Sequence, residues 1–168
     1  MTRRHRRSWQ WPLASIAFAA LLVFLDSPDP AVTSADREYV QRVVDGDTLV
    51  LGTGEWVRLI GVDTPETKHP NAPVEYFGNE AAAFTKRLAE GKRIKLEFDP
   101  ANAHIEHKDR YGRTLAYVFL GDGTFVNAEI IRQGYGHAYT RYPFSRIEEF
   151  RRLEREAREQ KRGLWGKI

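Results

Sequence analysis

Two short acidic clusters carry most of the chemical potential of this chain: Asp45-Gly46-Asp47-Thr48 and Asp63-Thr64-Pro65-Glu66-Thr67. Each lies at the end of a strand-like apolar run, so short aspartates on adjacent strands can converge on one point. A hard divalent cation takes several oxygens from carboxylates and main-chain carbonyls, which makes calcium or magnesium the matching ion. Taken singly, Asp-Gly is also an ordinary hairpin turn and Asp-Thr-Pro an ordinary loop opening. Arginines add a second requirement. Arg58 interrupts the otherwise apolar Trp56-Val57-Arg58-Leu59-Ile60, and a sheltered guanidinium needs an anion because an unpaired buried charge is costly. Arg113 ends the turn Lys108-Asp109-Arg110-Tyr111-Gly112-Arg113. Guanidinium forks match the non-bridging oxygens of a phosphodiester and can neutralise charge that builds at phosphorus during attack. The plainer readings are an internal salt bridge for Arg58 and an exposed turn charge for Arg113.

These groups need a scaffold, and the apolar rhythm supplies one. Tyr39 to Val44, Thr48 to Leu51, Trp56 to Ile60, the alternating Arg93 to Phe98 and Thr114 to Leu120 read as five short strands separated by Gly-rich punctuation. Helical spacing appears from Asn79 to Glu90, with Gly91 just past its end, and from Val126 to Gln133. A third helix shows Ile147, Phe150, Leu153 and Ala157 as an apolar stripe. Ser145 and Glu148 read as its capping box, Glu148–Arg152 and Glu154–Arg158 as surface pairs, and Gly163 as its stop. Five strands with a helix between the third and fourth predict a mainly β, α+β domain. Its form is a five-stranded Greek-key barrel of the oligonucleotide-binding (OB) type with three helices. Trp56, Tyr117 and Trp165 are expected in its core.

Composition limits the rest. The 168 residues allow one well-packed domain, and 42% hydrophobic residues suffice for a core. The absence of cysteine excludes disulfide scaffolds, thiolate metal sites and cysteine nucleophiles. Residues 3–7 hold four arginines, and the first 25 residues hold no acid. Of the 26 lysines and arginines in all, 22 therefore remain against 23 acids, so an anionic partner must be gripped locally. The basic flank precedes an apolar run from Leu13 to Leu25 and then Asp26-Ser27-Pro28-Asp29-Pro30, the pattern of an export signal. Residues 1–35 are read as a cleaved signal peptide or an uncleaved anchor plus linker, with residues 9–25 in the membrane in the second case. Residues 36–168 are the globular domain, secreted, periplasmic or tethered outside the cytoplasm.

Set in order, Asp45-Gly46-Asp47-Thr48, Arg58-Leu59-Ile60-Gly61-Val62-Asp63-Thr64-Pro65-Glu66-Thr67-Lys68-His69-Pro70, Asp109-Arg110-Tyr111-Gly112-Arg113-Thr114-Leu115-Ala116-Tyr117, Arg132-Gln133-Gly134 and Leu164-Trp165 resemble the staphylococcal nuclease (thermonuclease) family. The resemblance runs over about 130 residues, from near Tyr39 to Trp165. It implies an OB-type barrel with three helices and calcium-dependent cleavage of DNA and RNA that releases 3′-phosphates. By the same resemblance Asp47 and Asp63 match calcium-binding carboxylates, Thr64 a residue lending a main-chain oxygen, and Asp45 an acid acting through water. Glu66 matches the general base. Arg58 and Arg113 match the arginines on the scissile phosphate, and Tyr111 and Tyr139 match tyrosines that bind the nucleotide.

Some positions depart from the family pattern. Arg110 stands where a lysine is usual, keeping the charge of a substrate-binding position but changing its donor geometry. The connection Pro100 to Lys108 is longer than in the best-known member, and its His104, Glu106 and His107 read as a solvated loop. The domain is expected to act as a monomer. The rival reading is a noncatalytic OB-fold module that binds nucleic acid, but such a binder has no need to keep Asp47, Asp63, Glu66, Arg58 and Arg113 together.

Overall fold

Short β-branched runs bounded by tight turns make the first half of the molecule a meander. The computed structural model describes residues 37–67 and 73–167. The leader read at residues 1–35 lies outside the described residues. Strands β1 (Arg37–Asp45), β2 (Thr48–Leu51) and β3 (Trp56–Leu59) are followed by the two-residue β4 (Val62–Asp63) and helix α1 (Gly78–Ala89). Then come β5 (Arg93–Glu97), β6 (Thr114–Leu120), α2 (Val126–Arg132), the two-residue β7 (His137–Ala138) and α3 (Ile147–Glu159). Five strands close into a barrel in the order β1-β2-β3-β6-β5, and β4 pairs separately with β7. The expected five-stranded barrel with three helices is therefore observed. Among the described residues, no helix is long and apolar enough to cross a membrane.

Closure depends on the pairing of β3 with β6, which is parallel, with Arg58 opposite Leu115. On its other side β3 lies antiparallel to β2, with Thr48 opposite Arg58, and Asp45 of β1 lies opposite Thr48. One row across four strands thus gathers residues separated by about 70 positions in the chain. The first β-hairpin, the β3 arginine and the β6 entrance meet because the barrel closes.

Alternation decides which side chains enter the barrel. Val57 and Leu59 are 0% and 1% exposed, so Trp56 and Arg58 are turned to the other face. This overturns one expectation: Trp56 is not core but 42% exposed. Tyr117, at 4% exposed, is core as expected, and Trp165 is half-buried. Phe150 and Leu153 of α3 pack with Ile130 and Ile131 of α2 in the same buried cluster. Each such large apolar side chain contributes about 1.5–3 kcal/mol on burial.

Polar side chains tie the helices to the barrel. Buried Asn127 accepts the Val118 amide at 2.9 Å and donates to the carbonyls of Ile60 and Ala116 at 3.0 and 3.3 Å. Asp99 is fully buried after β5 and holds the start of α3. It accepts the Ser145 amide at 2.7 Å and the Ser145 hydroxyl at 3.0 Å. The expected capping box is therefore absent: Ser145 is drawn to a buried carboxylate, and α3 begins two residues later without a side-chain cap. Glu148 pairs with Arg151 instead of Arg152, while the Glu154–Arg158 pair forms as expected. Helix α3 ends before Gly163, and Arg158 lies over the Trp165 ring at 4.1 Å. Residues Pro100–Ile105 form a 3-10 turn, with His104 exposed and the His107 ring against Phe98.

Candidate active site

The Asp45–Thr48 turn is shaped from several sides. Gly46 and Asp47 form the turn itself, and Gly46 must lack a side chain, since a Cβ there would lie 2.6 Å from the Thr64 hydroxyl oxygen. From α1, the Thr85 hydroxyl donates to the Gly46 carbonyl at 2.7 Å. Asp45 turns its carboxylate toward the second acidic segment, accepting the Thr67 hydroxyl at 3.2 Å and the Thr67 amide at 3.4 Å. Asp47 accepts the Thr48 hydroxyl at 2.9 Å and the Thr64 amide at 3.1 Å. The two acidic clusters read from the sequence are thus bound directly to each other.

Arg58 joins them. Its Nη1 lies 2.6 Å from Asp47 Oδ2 and its Nη2 lies 3.2 Å from Asp63 Oδ1. The guanidinium's requirement for an anion is met by carboxylates of both clusters. Breaking a buried pair by removing one partner typically costs about 3–5 kcal/mol, because the other charge is left uncompensated. Asp47 and Arg58 are sheltered, with 8% and 15% of their side chains exposed, whereas Asp63 is half open at 50%.

Arg113 enters from the turn just before β6. Its Nη1 donates to the Thr48 hydroxyl at 3.3 Å, and Thr48 in turn donates to Asp47. Asp109 aims this arginine: it accepts Arg113 Nε at 2.7 Å and the amides of Tyr111 and Arg113 at 2.9 and 3.0 Å. Burial would raise the Asp109 carboxyl pKa, but these hydrogen bonds outweigh it and hold the group below its ordinary value. Tyr111 is 67% exposed, with the guanidinium carbons of Arg110 and Arg113 at 4.7 and 5.3 Å from its ring centre. The Arg110 side chain also donates to the Tyr111 hydroxyl at 2.6 Å.

Glu66 sits at the rim and is exposed. Its main chain is clamped by Glu75, which accepts the Glu66 amide at 3.0 Å while its own amide donates to the Glu66 carbonyl at 3.0 Å. The Glu66 carboxyl is pushed up to about 7. Partial desolvation is the largest cause, followed by a hydrogen bond with Asp45 and the charges of Asp45 and Asp47, with Arg58 opposing. The Asp63 carboxyl is raised as well, first by burial, with Arg58 lowering it and Asp47 raising it. These acids disfavour one another's ionised forms.

Tyr139 reaches the same edge through the backbone. Strand β7 pairs with β4, placing His137 opposite Asp63, and the Tyr139 amide donates to the Gly61 carbonyl at 2.9 Å. Its ring lies 6.0 Å from that of Tyr142. Sequence reasoning missed His137, Glu75, Thr85 and the role of Asp109. Only Asp109 left a readable signal, an acid four residues before Arg113 in a turn.

Among the described residues, no three Asp, Glu or His side chains converge closely enough to ligate one ion. Asp47, Asp63 and the Thr64 carbonyl nevertheless make an oxygen-only donor set, and a hard cation completes such a set with water. Burial is the first cause that raises the carboxyls of Asp63 and Glu66, and neighbouring acids add to it, a charge that a divalent cation would relieve. The donor chemistry of these residues therefore fits a hard divalent cation.

Comparisons with known proteins agree with this architecture. The family model described as staphylococcal nuclease homologue matches residues 56–167. The thermonuclease of Staphylococcus intermedius is 42% identical over 130 residues, covering 75% of this chain and 74% of the relative. The thermonuclease of Staphylococcus hyicus is 41% identical over 130 residues, covering 75% and 73%. Endonuclease YncB of Bacillus subtilis is 38% identical over 133 residues, covering 76% of this chain and 61% of the relative. The matched residues span both arginines, Asp63, Glu66 and the whole of β3 to α3, so this chain belongs to the staphylococcal nuclease family.

Proposed function

We propose that this protein is a calcium-dependent nuclease that hydrolyses phosphodiester bonds in DNA and RNA and leaves 3′-phosphate ends. One observation carries the reading: an unbroken path of contacts, Arg113–Thr48–Asp47–Arg58–Asp63, joins three distant chain segments beside Glu66. Two guanidinium groups and four acids in one patch are the parts a phosphodiester hydrolase needs. The nuclease names of the relatives support the same substrate class.

In this mechanism Asp47, Asp63 and the Thr64 carbonyl hold calcium, with Asp45 acting on the site through water. When bound, the ion supplies Lewis-acid polarisation of a phosphate oxygen and lowers the pKa of nearby water and carboxyl groups. Arg58 and Arg113 donate hydrogen bonds to the phosphate oxygens and stabilise the five-coordinate phosphorus. Glu66 takes a proton from the attacking water as its oxygen bonds to phosphorus, a role worth about 10² to 10⁴ in rate. The bond from phosphorus to the 5′-oxygen then breaks. Arg113 hydrogen-bonds that departing oxygen, which takes its proton from solvent. Tyr111, Arg110 and Tyr139 hold the flanking nucleotide by stacking and charge. The protein acts as a monomer outside the cytoplasm, on the reading of residues 1–25 as an export signal or anchor.

Single-stranded DNA incubated with the purified protein is expected to be cleaved in millimolar calcium and spared in chelator. The product ends are expected to prime a polymerase only after phosphatase treatment. Cleavage that persists in chelator overturns the metal requirement, and ends extended without phosphatase overturn the assignment of the broken bond.

A further inference from the structure

Trp56 is a large apolar side chain left outside the core beside the candidate site. It is 42% exposed, and the guanidinium carbon of Arg42 lies 5.3 Å from its ring centre. The pairing register explains their meeting: Arg42 lies opposite Val50, and Val50 lies opposite Trp56. Two rows along, on the same face and toward the candidate site, Thr48 lies opposite Arg58. Because Val57 and Leu59 take the inner face, Trp56 and Arg58 share the outer one, two residues apart on one strand. That separation is about 6.8 Å, close to the spacing of neighbouring nucleotides in an extended single strand.

Charge on this face favours an anion. Glu55, next to Trp56, is already engaged: it accepts the Thr114 hydroxyl and has the Lys108 ammonium 3.7 Å away. Arg42 is exposed, and among the described residues no carboxylate is paired with it. With the Arg42 guanidinium over one face of the ring, the other face can stack a base while the cation meets the adjoining phosphate.

We infer that Trp56 and Arg42 form a base-stacking subsite for single-stranded nucleic acid, one nucleotide beyond the phosphate held at Arg58. The subsite takes its position along the strand from the nuclease reading. Its occupant is the same polymer that reaches the acids, since β3 carries both groups on one continuous face. Trp56 stacks the base without reading its identity, because every base has a π face, and it lengthens the stretch of substrate the protein grips.

The test is binding of 5′-fluorescein-labelled octathymidylate by the full chain, followed by fluorescence anisotropy in chelator so that no cleavage intervenes. Trp56→Ala is expected to weaken binding about 5- to 150-fold, the range for loss of one base–aromatic stack. Trp56→Phe is expected to retain most of the affinity, and Arg42→Ala to weaken binding and flatten its salt dependence. Circular dichroism of each variant establishes that the barrel is intact. Octathymidylate bound by Trp56→Ala within twofold of the parent overturns the subsite, as does a parent that does not bind it. Trp56-dependent binding by a protein that cleaves nothing in calcium supports the subsite and counts against the reaction.

Discussion

Asp99 is fully buried yet receives hydrogen bonds from the Tyr117 hydroxyl, the Ser145 and Ala101 amides and the Ser145 hydroxyl. The carboxyl groups around Asp47 instead have other acids among their neighbours, and Asp63 is half exposed. Burial alone would raise the Asp99 pKa, but those hydrogen bonds outweigh it and hold the group below its ordinary value. Burial also acts on Asp63 and Glu66, and there neighbouring acids add to it, so both carboxyls are raised. The two regions use the same side-chain chemistry for opposite ends. At Asp99 the fold supplies every partner and gains the position of α3. At the candidate site it supplies only part of the compensation, through Arg58, and on the proposed function a cation supplies the remainder.

The sharpest way to separate the two regions is substitution at each. Glu66→Gln is expected to lower kcat about 10²- to 10⁴-fold in a cleavage assay, with urea unfolding of the metal-free protein no weaker than the parent's. A variant that turns over at the parental rate would remove Glu66 as the base. Asp99→Asn is expected to do the reverse. It should lose about 2–4 kcal/mol in urea unfolding, since several charge-assisted hydrogen bonds weaken together, while cleavage per folded molecule stays near the parental value. Unchanged stability would break the contrast from that side.

The pH dependence of the metal-free protein carries opposite signs at the two places. The Glu66 pKa rises from an ordinary 4.5 to about 7 in the fold, so between those values the folded chain binds more protons than the unfolded one. Its contribution to stability therefore falls as pH rises through that window. Asp99 is lowered from an ordinary 3.8, so its contribution is complete above that value and is lost as pH falls below it. Urea unfolding measured across pH should show Glu66→Gln removing part of the decline toward neutrality and Asp99→Asn removing part of the acid limb. Exchanged effects would refute the assignment of both. The smallest expected change is at Asp45, whose hydrogen bond and charge help to raise Glu66. Asp45→Asn should move the Glu66 carboxyl titration, followed by NMR in metal-free protein, downward toward its ordinary value, and a titration left in place would exclude the Asp45 contact.

Legibility in the sequence followed the range of the interactions. The five barrel strands and three helices were readable because each holds a period of two or of 3.6 over several residues. Strands β4 and β7 were not, since two residues have no period, yet their pairing is what sets Asp63 opposite His137. Ser145 shows how a long-range partner overrides a local motif: its sequence neighbours favour a cap, and Asp99, 46 positions earlier, takes the hydroxyl instead. Trp56 was misread because an aromatic residue in a strand resembles core until the inward positions are fixed by Val57 and Leu59. The chemistry-bearing residues were legible by type and order. Their assembly was not, because it depends on the parallel β3–β6 pairing and on Asp109, Thr48 and Thr67 as connectors.

Calcium titration of urea unfolding at neutral pH addresses the central claim most directly, because it asks whether the crowded acids hold a cation without relying on catalysis. At a free calcium concentration about 100 times the dissociation constant, the folded protein should gain about 2.7 kcal/mol, and Asp63→Asn should lose most of that gain. An unfolding curve that is the same in calcium and in chelator would contradict it.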